Sequence, residues 1–163
     1  MAAGISNRAR RLHFSSIVID THADTTQRFF DGEFHLGARN SLGSVDIPRM
    51  REGGLGAIFF AIWAPSKVTG TEAMKRALAQ IDRVHEEVRR HSKDIMRVTT
   101  AEGIRGARGQ GKIAALIGIE GGHLIANDLG VLRTYAALGA RYMTLTHMGN
   151  TEWADASTDK PVH

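Results

Sequence analysis

Short apolar runs alternate with helix-periodic segments along this chain. The apolar runs predict buried strands at 17–20, 55–63, 95–98, 112–120 and 141–146. Helices are predicted between them at 46–51, 71–91, from 99 to about 109, and at 129–138. In the longest helix, apolar residues recur at helical spacing, namely Met74, Leu78, Ile81, Val84 and Val88. The alternation of strands and helices predicts an α/β fold with a parallel sheet.

Several helix ends carry their own sequence signals. Asp46 is suited to cap the second segment, with Pro48 in its first turn. Thr99 and Glu102 have the spacing of a capping box for the helix that follows the third strand. Gly139 is placed to close the last helix.

Two architectures share this order of elements, a doubly wound sheet and a β/α barrel. A complete barrel needs roughly 250 residues, whereas this chain has 163. The sequence shows no internal repeat and no interior linker, so the whole chain is interpreted as part of one domain. If the fold is a barrel, the chain has room for about half of it.

Composition narrows the function classes. The chain has no cysteine, so any metal must be held by His, Asp and Glu. Its net charge of +4 comes from basic residues scattered among acidic ones, without a basic and aromatic platform, and this argues against nucleic acid. No apolar stretch approaches the roughly 20 residues of a membrane span. Since no signal peptide is visible, we expect a cytoplasmic protein.

His22 and Asp24 follow the first apolar run. Residues two apart on a strand share a face, so an imidazole and a carboxylate can be presented together at the strand's carboxyl end. This pair suits zinc, manganese or ferrous iron, and barrels place their catalytic groups at this end. The alternative is a turn in which Asp24 caps the next helix and His22 packs nearby.

Glu120 ends the strongly apolar run of the fourth strand. A carboxylate at the tip of a buried strand needs a cation or several donors, because desolvation alone is costly. Its two oxygens could bridge two metal ions, and Gly121 with Gly122 would allow close backbone approach. The alternative is an ion pair with an arginine from a neighbouring strand.

His147 follows the fifth predicted strand and precedes a polar loop. It could ligate a metal, transfer a proton or donate a hydrogen bond to a developing oxyanion. Taken alone it is more often an ordinary loop histidine, but three strand ends with ionisable groups favour a common site. For His123, beyond the two glycines, a structural role is favoured.

Several separated motifs, in order along the chain, resemble the membrane dipeptidase family of zinc metallopeptidases. The resemblance runs from about residue 17 to residue 163. It is carried by residues 18–24 (VIDTHAD), 117–123 (IGIEGGH), 142–147 (YMTLTH), 150–151 (NT) and 153–155 (WAD), with 47–48 (IP) and 130–133 (GVLR) between them.

The resemblance implies a (β/α)8 TIM barrel of the metal-dependent hydrolase type, of which residues 1–163 would form about the first half. It also implies a two-zinc centre that hydrolyses dipeptides through a metal-bridging hydroxide. His22 and Asp24 would bind one zinc, Glu120 would bridge both, and His147 would contact the substrate and polarise its scissile carbonyl. The family's remaining ligands come from later strands, so this portion by itself is expected to be inactive.

The resemblance leaves two other functions open. A partial barrel could persist as a non-catalytic binding or assembly module, and a deaminase or cyclic amidase of the same barrel type is chemically possible. The motif around His22 fits these enzymes less well. A dipeptide is the expected partner, homo-oligomers are possible, and neither nucleic acid nor a membrane span is expected.

Overall fold

The computed structural model describes residues 4–163, and these form five helices and five strands. The helices are α1 (Asn7–Ser15), α2 (Ile47–Glu52), α3 (Gly70–Arg90), α4 (Ala101–Gly109) and α5 (Leu129–Leu138). The strands are β1 (Val18–Ala23), β2 (Leu55–Trp63), β3 (Ile95–Arg97), β4 (Ile113–Glu120) and β5 (Ala140–Met143), with short 3-10 helices at Asp24–Phe30 and Gly122–Ile125. Within the described range, no helix is both long and apolar enough to cross a membrane.

The five strands form one parallel sheet, as the alternation of strands and helices predicts. β4 lies at its centre and pairs with β2 over seven residues, from Ala57 opposite Ala114 to Trp63 opposite Glu120. On its other side β4 pairs with β3 near its start and with β5 near its end. The short β3 therefore lies beyond β4 and not between β2 and β4.

The main core lies between the sheet and α3. Alternate residues of β2 and β4 face it, among them Phe60 and Ile117, and α3 contributes Ile81 and Val84. A smaller cluster around Leu116 occupies the opposite face. This division follows from the two-residue period of a strand, and Gly118 and Glu120 therefore lie on the same face as Leu116.

Helix ends follow the predicted signals with one correction. Asp46 caps α2 by accepting a hydrogen bond from the Arg49 backbone N–H, and Gly139 closes α5 at a φ of +114°. The predicted capping box at Thr99 is wrong, because Thr100 caps α4 and accepts a hydrogen bond from the Gly103 backbone N–H. Both threonines offer the same hydroxyl, and only the backbone path decides which one precedes the first helical turn.

Two strand boundaries differ from the prediction, and one helix was missed. β1 extends through His22 to Ala23, while β5 ends at Met143, so His147 lies in a loop and not directly at a strand end. The helix α1 was not predicted, because none of its residues is buried and it shows no apolar face that would mark it in the sequence.

Candidate metal centre at the carboxyl edge of the sheet

The predicted site residues meet where parallel strands end. His22 lies near the end of β1, Asp24 begins the 3-10 helix that follows, and Glu120 is the last residue of β4. Strands β1 and β4 both pair with β2, and the parallel register brings their carboxyl ends to one edge. His22 and Asp24 therefore become neighbours of Glu120, which lies nearly 100 positions later in the sequence.

His22, Asp24 and Glu120 form a compact group of possible metal ligands. The Nε2 atom of His22 lies 3.3 Å from Glu120 Oε2 and 3.4 Å from Asp24 Oδ1. One ligand atom from each residue falls within 4.8 Å of the others. One imidazole nitrogen and two carboxylate oxygens are donors that zinc accepts. The donor set fits a divalent ion at this position.

Asp24 does not have the capping role considered as its alternative. The 3-10 helix that it begins has Ala23 as its N-cap, without a side-chain capping hydrogen bond. The Asp24 side chain is 64% exposed and points toward His22. Its carboxylate is free to bind a ligand.

Glu120 is mostly buried, with 20% of its side chain exposed. Within residues 4–163, its only ion-pair contacts are with His22 and His147, and no arginine or lysine lies within 4 Å of its carboxylate. The alternative of an ion pair with an arginine is therefore wrong for the described residues. A carboxylate that is desolvated without several donors favours binding of a cation.

His147 approaches Glu120 from the side opposite His22. Its Nε2 atom lies 3.7 Å from Glu120 Oε1, while His22 faces Oε2. The edge of its ring packs against Trp63, with centroids 5.8 Å apart, and Nδ1 is buried without a hydrogen-bond partner among the described residues. His147 adjoins the three-residue group but is not part of it.

Gly121 and Gly122 permit the close approach that the sequence suggests. Gly121 has a φ of +104°, and a Cβ atom there would lie 2.4 Å from the His123 ring. At Gly122 a Cβ atom would lie 2.5 Å from the carbonyl oxygen of Leu145. Gly121 therefore leaves room for the His123 ring, and Gly122 lets the loops after β4 and β5 touch.

Two residues that support this edge of the sheet were missed by the sequence reasoning. Thr144 accepts a hydrogen bond from the Gly121 backbone N–H at 2.7 Å and donates to the Thr146 carbonyl at 2.8 Å. Tyr142 reaches His22 with its hydroxyl. Burial, followed by the nearby charges of Glu120, Asp24 and Asp20, raises the pKa of Tyr142 to about 12. Their sequence signal is that both belong to the motif at 142–147, which ends at His147.

His123 has the structural environment expected for it. Its Nε2 atom lies 3.1 Å from the carbonyl oxygen of Ala64. Burial lowers its pKa, with a smaller effect in the same direction from His147, so the neutral ring is favoured. His123 connects the loop after β4 to the end of β2.

The chain matches known proteins over most of its length. The family model described as membrane dipeptidase (peptidase family M19) matches residues 6–163. The human protein Dipeptidase 3 is 36% identical over 159 residues, which cover 94% of this chain and 32% of the human protein. The chain thus spans about a third of the length of that relative.

Two crystal structures show the same fold. A structure described as dipeptidase AC, a metallopeptidase of family M19, superposes with a TM-score of 0.71 at 26% identity and covers 78% of this chain and 41% of its own. The probable dipeptidase PvdM from Pseudomonas aeruginosa superposes with a TM-score of 0.82 at 22% identity and covers 92% of this chain and 39% of its own.

The fold and the strand-end cluster define part of an α/β barrel of the metal-dependent hydrolase type, and the barrel interpretation is confirmed over the doubly wound one. The chain belongs to the membrane dipeptidase family, peptidase family M19.

Proposed function

We propose that the protein is a zinc-dependent dipeptidase and that residues 1–163 form the N-terminal part of its single barrel domain. The observation that carries this proposal is the environment of Glu120. Its carboxylate is mostly buried, its ion partners among residues 4–163 are two imidazoles, and a second carboxylate lies nearby. Family membership and the metallopeptidase description of a structural relative support it.

His22 and Asp24 would bind one ion. Glu120 would bind both this ion and a second one. Two zinc ions would supply a water of lowered pKa and Lewis-acid polarisation of the peptide carbonyl. The second ion requires ligands in addition to Glu120, since zinc usually has four. We place those ligands outside residues 1–163.

His147 would act on the substrate. It faces the Glu120 oxygen that His22 does not contact, and its ring is held by Trp63. A hydrogen bond from this imidazole to the scissile carbonyl would stabilise negative charge as it develops on the oxygen. The substrate of this reaction would be a dipeptide.

Metal analysis of the full-length protein tests the assignment. The wild type is expected to hold two divalent ions per chain, and Glu120→Ala is expected to lose most of both, because one shared ligand is removed. Glu102→Ala is the matched control, since Glu102 is 82% exposed on α4 and should leave the metal content unchanged. Full two-ion occupancy in Glu120→Ala would refute the bridging role.

A further inference from the structure

The Tyr142 side chain spans three strands on the face that carries Glu120. Tyr142 belongs to β5 and is the register partner of Gly118 in β4. Its ring lies 5.3 Å from the ring of Phe59 in β2, and its hydroxyl reaches β1. There the hydroxyl lies 2.9 Å from His22 Nδ1 and 3.1 Å from the Thr21 carbonyl oxygen.

Gly118 provides the space for this arrangement. A Cβ atom at position 118 would lie 2.0 Å from Tyr142 Cζ and 2.4 Å from the hydroxyl oxygen. No side chain at this position is compatible with the observed ring. Since β4 is otherwise apolar on both faces, the single glycine before Glu120 is explained by the tyrosine that crosses it.

The hydrogen bonds of the hydroxyl determine where His22 carries its proton. A phenol with an ordinary pKa of about 10 has one proton to donate at neutral pH. The Thr21 carbonyl can only accept, so Tyr142 donates to it and accepts from His22 Nδ1. A neutral His22 is then protonated on Nδ1, and the Nε2 lone pair faces Glu120 and Asp24.

The competing tautomer would place the proton on Nε2, where it could be attracted by the two carboxylates. Those contacts are 3.3 and 3.4 Å long, whereas the contact of Nδ1 with the hydroxyl is 2.9 Å. Protonation of Nε2 would also require Tyr142 to donate to Nδ1, which leaves the Thr21 carbonyl without this donor. The observed geometry favours the proton on Nδ1.

We infer that Tyr142 is a positioning residue that holds His22 in the Nδ1-protonated tautomer and presents Nε2 to a metal ion. The inference rests on the proposed metal site. Hydrogen bonds to the second nitrogen of a metal-binding histidine fix its tautomer and ring orientation, and loss of such a partner typically costs about 10- to 100-fold in metal affinity.

The tautomer can be measured in the metal-free, full-length protein by long-range proton–nitrogen NMR after labelling of histidine with ¹⁵N. The His22 signals are identified by their loss in His22→Gln. We expect the wild type to show a protonated Nδ1 and Tyr142→Phe to shift toward a protonated Nε2. Zinc affinity should fall about 10- to 100-fold in the same variant.

Tyr135→Phe is the control, because Tyr135 also donates its buried hydroxyl to a backbone carbonyl, that of Leu124, away from His22. A protonated Nε2 in the metal-free wild type would overturn the inference without any variant, as would a tautomer and zinc affinity in Tyr142→Phe that match the control. If the wild type binds no zinc but its tautomer is as expected, the proposed function fails, whereas the control of the His22 tautomer by Tyr142 stands.

Discussion

Two carboxylates in this molecule are withdrawn from water in very different surroundings. Asp46, at the start of α2, is fully buried, and its oxygens accept from the Arg49 guanidinium and from the backbone N–H groups of Arg49 and Asn40. Burial alone would raise the pKa of Asp46, but these hydrogen bonds together lower it to about 2. The fold satisfies this charge completely.

Glu120 has no comparable set of donors among residues 4–163. Two histidines face its oxygens at 3.3 and 3.7 Å, and the carboxylate of Asp24 lies near the same His22 nitrogen that faces Glu120. A buried carboxylate with a full set of donors stabilises the fold, whereas one without them requires another cation. The contrast separates the structural acid Asp46 from Glu120, for which we propose a metal-binding role, more clearly than burial does.

The largest expected effect concerns residues 1–163 on their own. Among residues 4–163, one imidazole and two carboxylates are available for the proposed centre, which needs more ligands, and β1 has a strand partner on only one side. We therefore expect no measurable dipeptide hydrolysis with added zinc, and a tendency to aggregate. Chelator-sensitive turnover that disappears in His22→Ala would contradict this, because residues 1–163 would then supply all the metal ligands that the reaction requires.

His147→Ala tests whether the second contact of Glu120 serves the substrate or the metal. In the full-length enzyme we expect turnover to fall by about 10²- to 10³-fold, the scale for loss of one oxyanion donor. Metal content should remain near that of the wild type. His35→Ala is the control, because His35 is exposed and is not a member of the three-residue group. Loss of metal in His147→Ala would instead identify a ligand.

Removal of charge should affect the two acids differently. Asp46→Asn is expected to lower the free energy of unfolding by about 2–3 kcal/mol, because hydrogen bonds to a buried charge are weakened. Glu120→Gln in the metal-free protein is expected to change it by less than about 0.5 kcal/mol, since no strong donor is lost. Urea unfolding measures both changes, and equal losses would remove the distinction between the two sites.

The hydrogen bonds of Asp46 should also make the stability of the fold depend on pH. The pKa of Asp46 is lower in the folded protein than in the unfolded chain, so its contribution is fully present above about pH 4. It should be lost as the pH falls toward 2, and it amounts to about 2 kcal/mol. Unfolding of the wild type and of Asp46→Asn should therefore converge in stability over this range. A constant gap between them would contradict the assignment.

Much of the sheet is predictable because burial leaves a local trace. The apolar runs of β2 and β4, nine and eight residues long, have no polar face. Short runs of this kind are typical of parallel strands that are buried on both faces. Helix α3 shows its buried face by periodicity, and Asp46 acts locally as the cap of α2. By contrast, no residue of α1 is buried, so no pattern of buried positions marks this helix in the sequence.

The sequence by itself determined the candidate site residues, because His22, Asp24, Glu120 and His147 each follow an apolar run or lie near its end. Only the tertiary structure decided how they face one another, because distances across strands depend on register. The position of Tyr142 shows this most clearly. Its contact with His22 joins residues 120 positions apart and depends on an empty space above Gly118, and no local pattern encodes either condition.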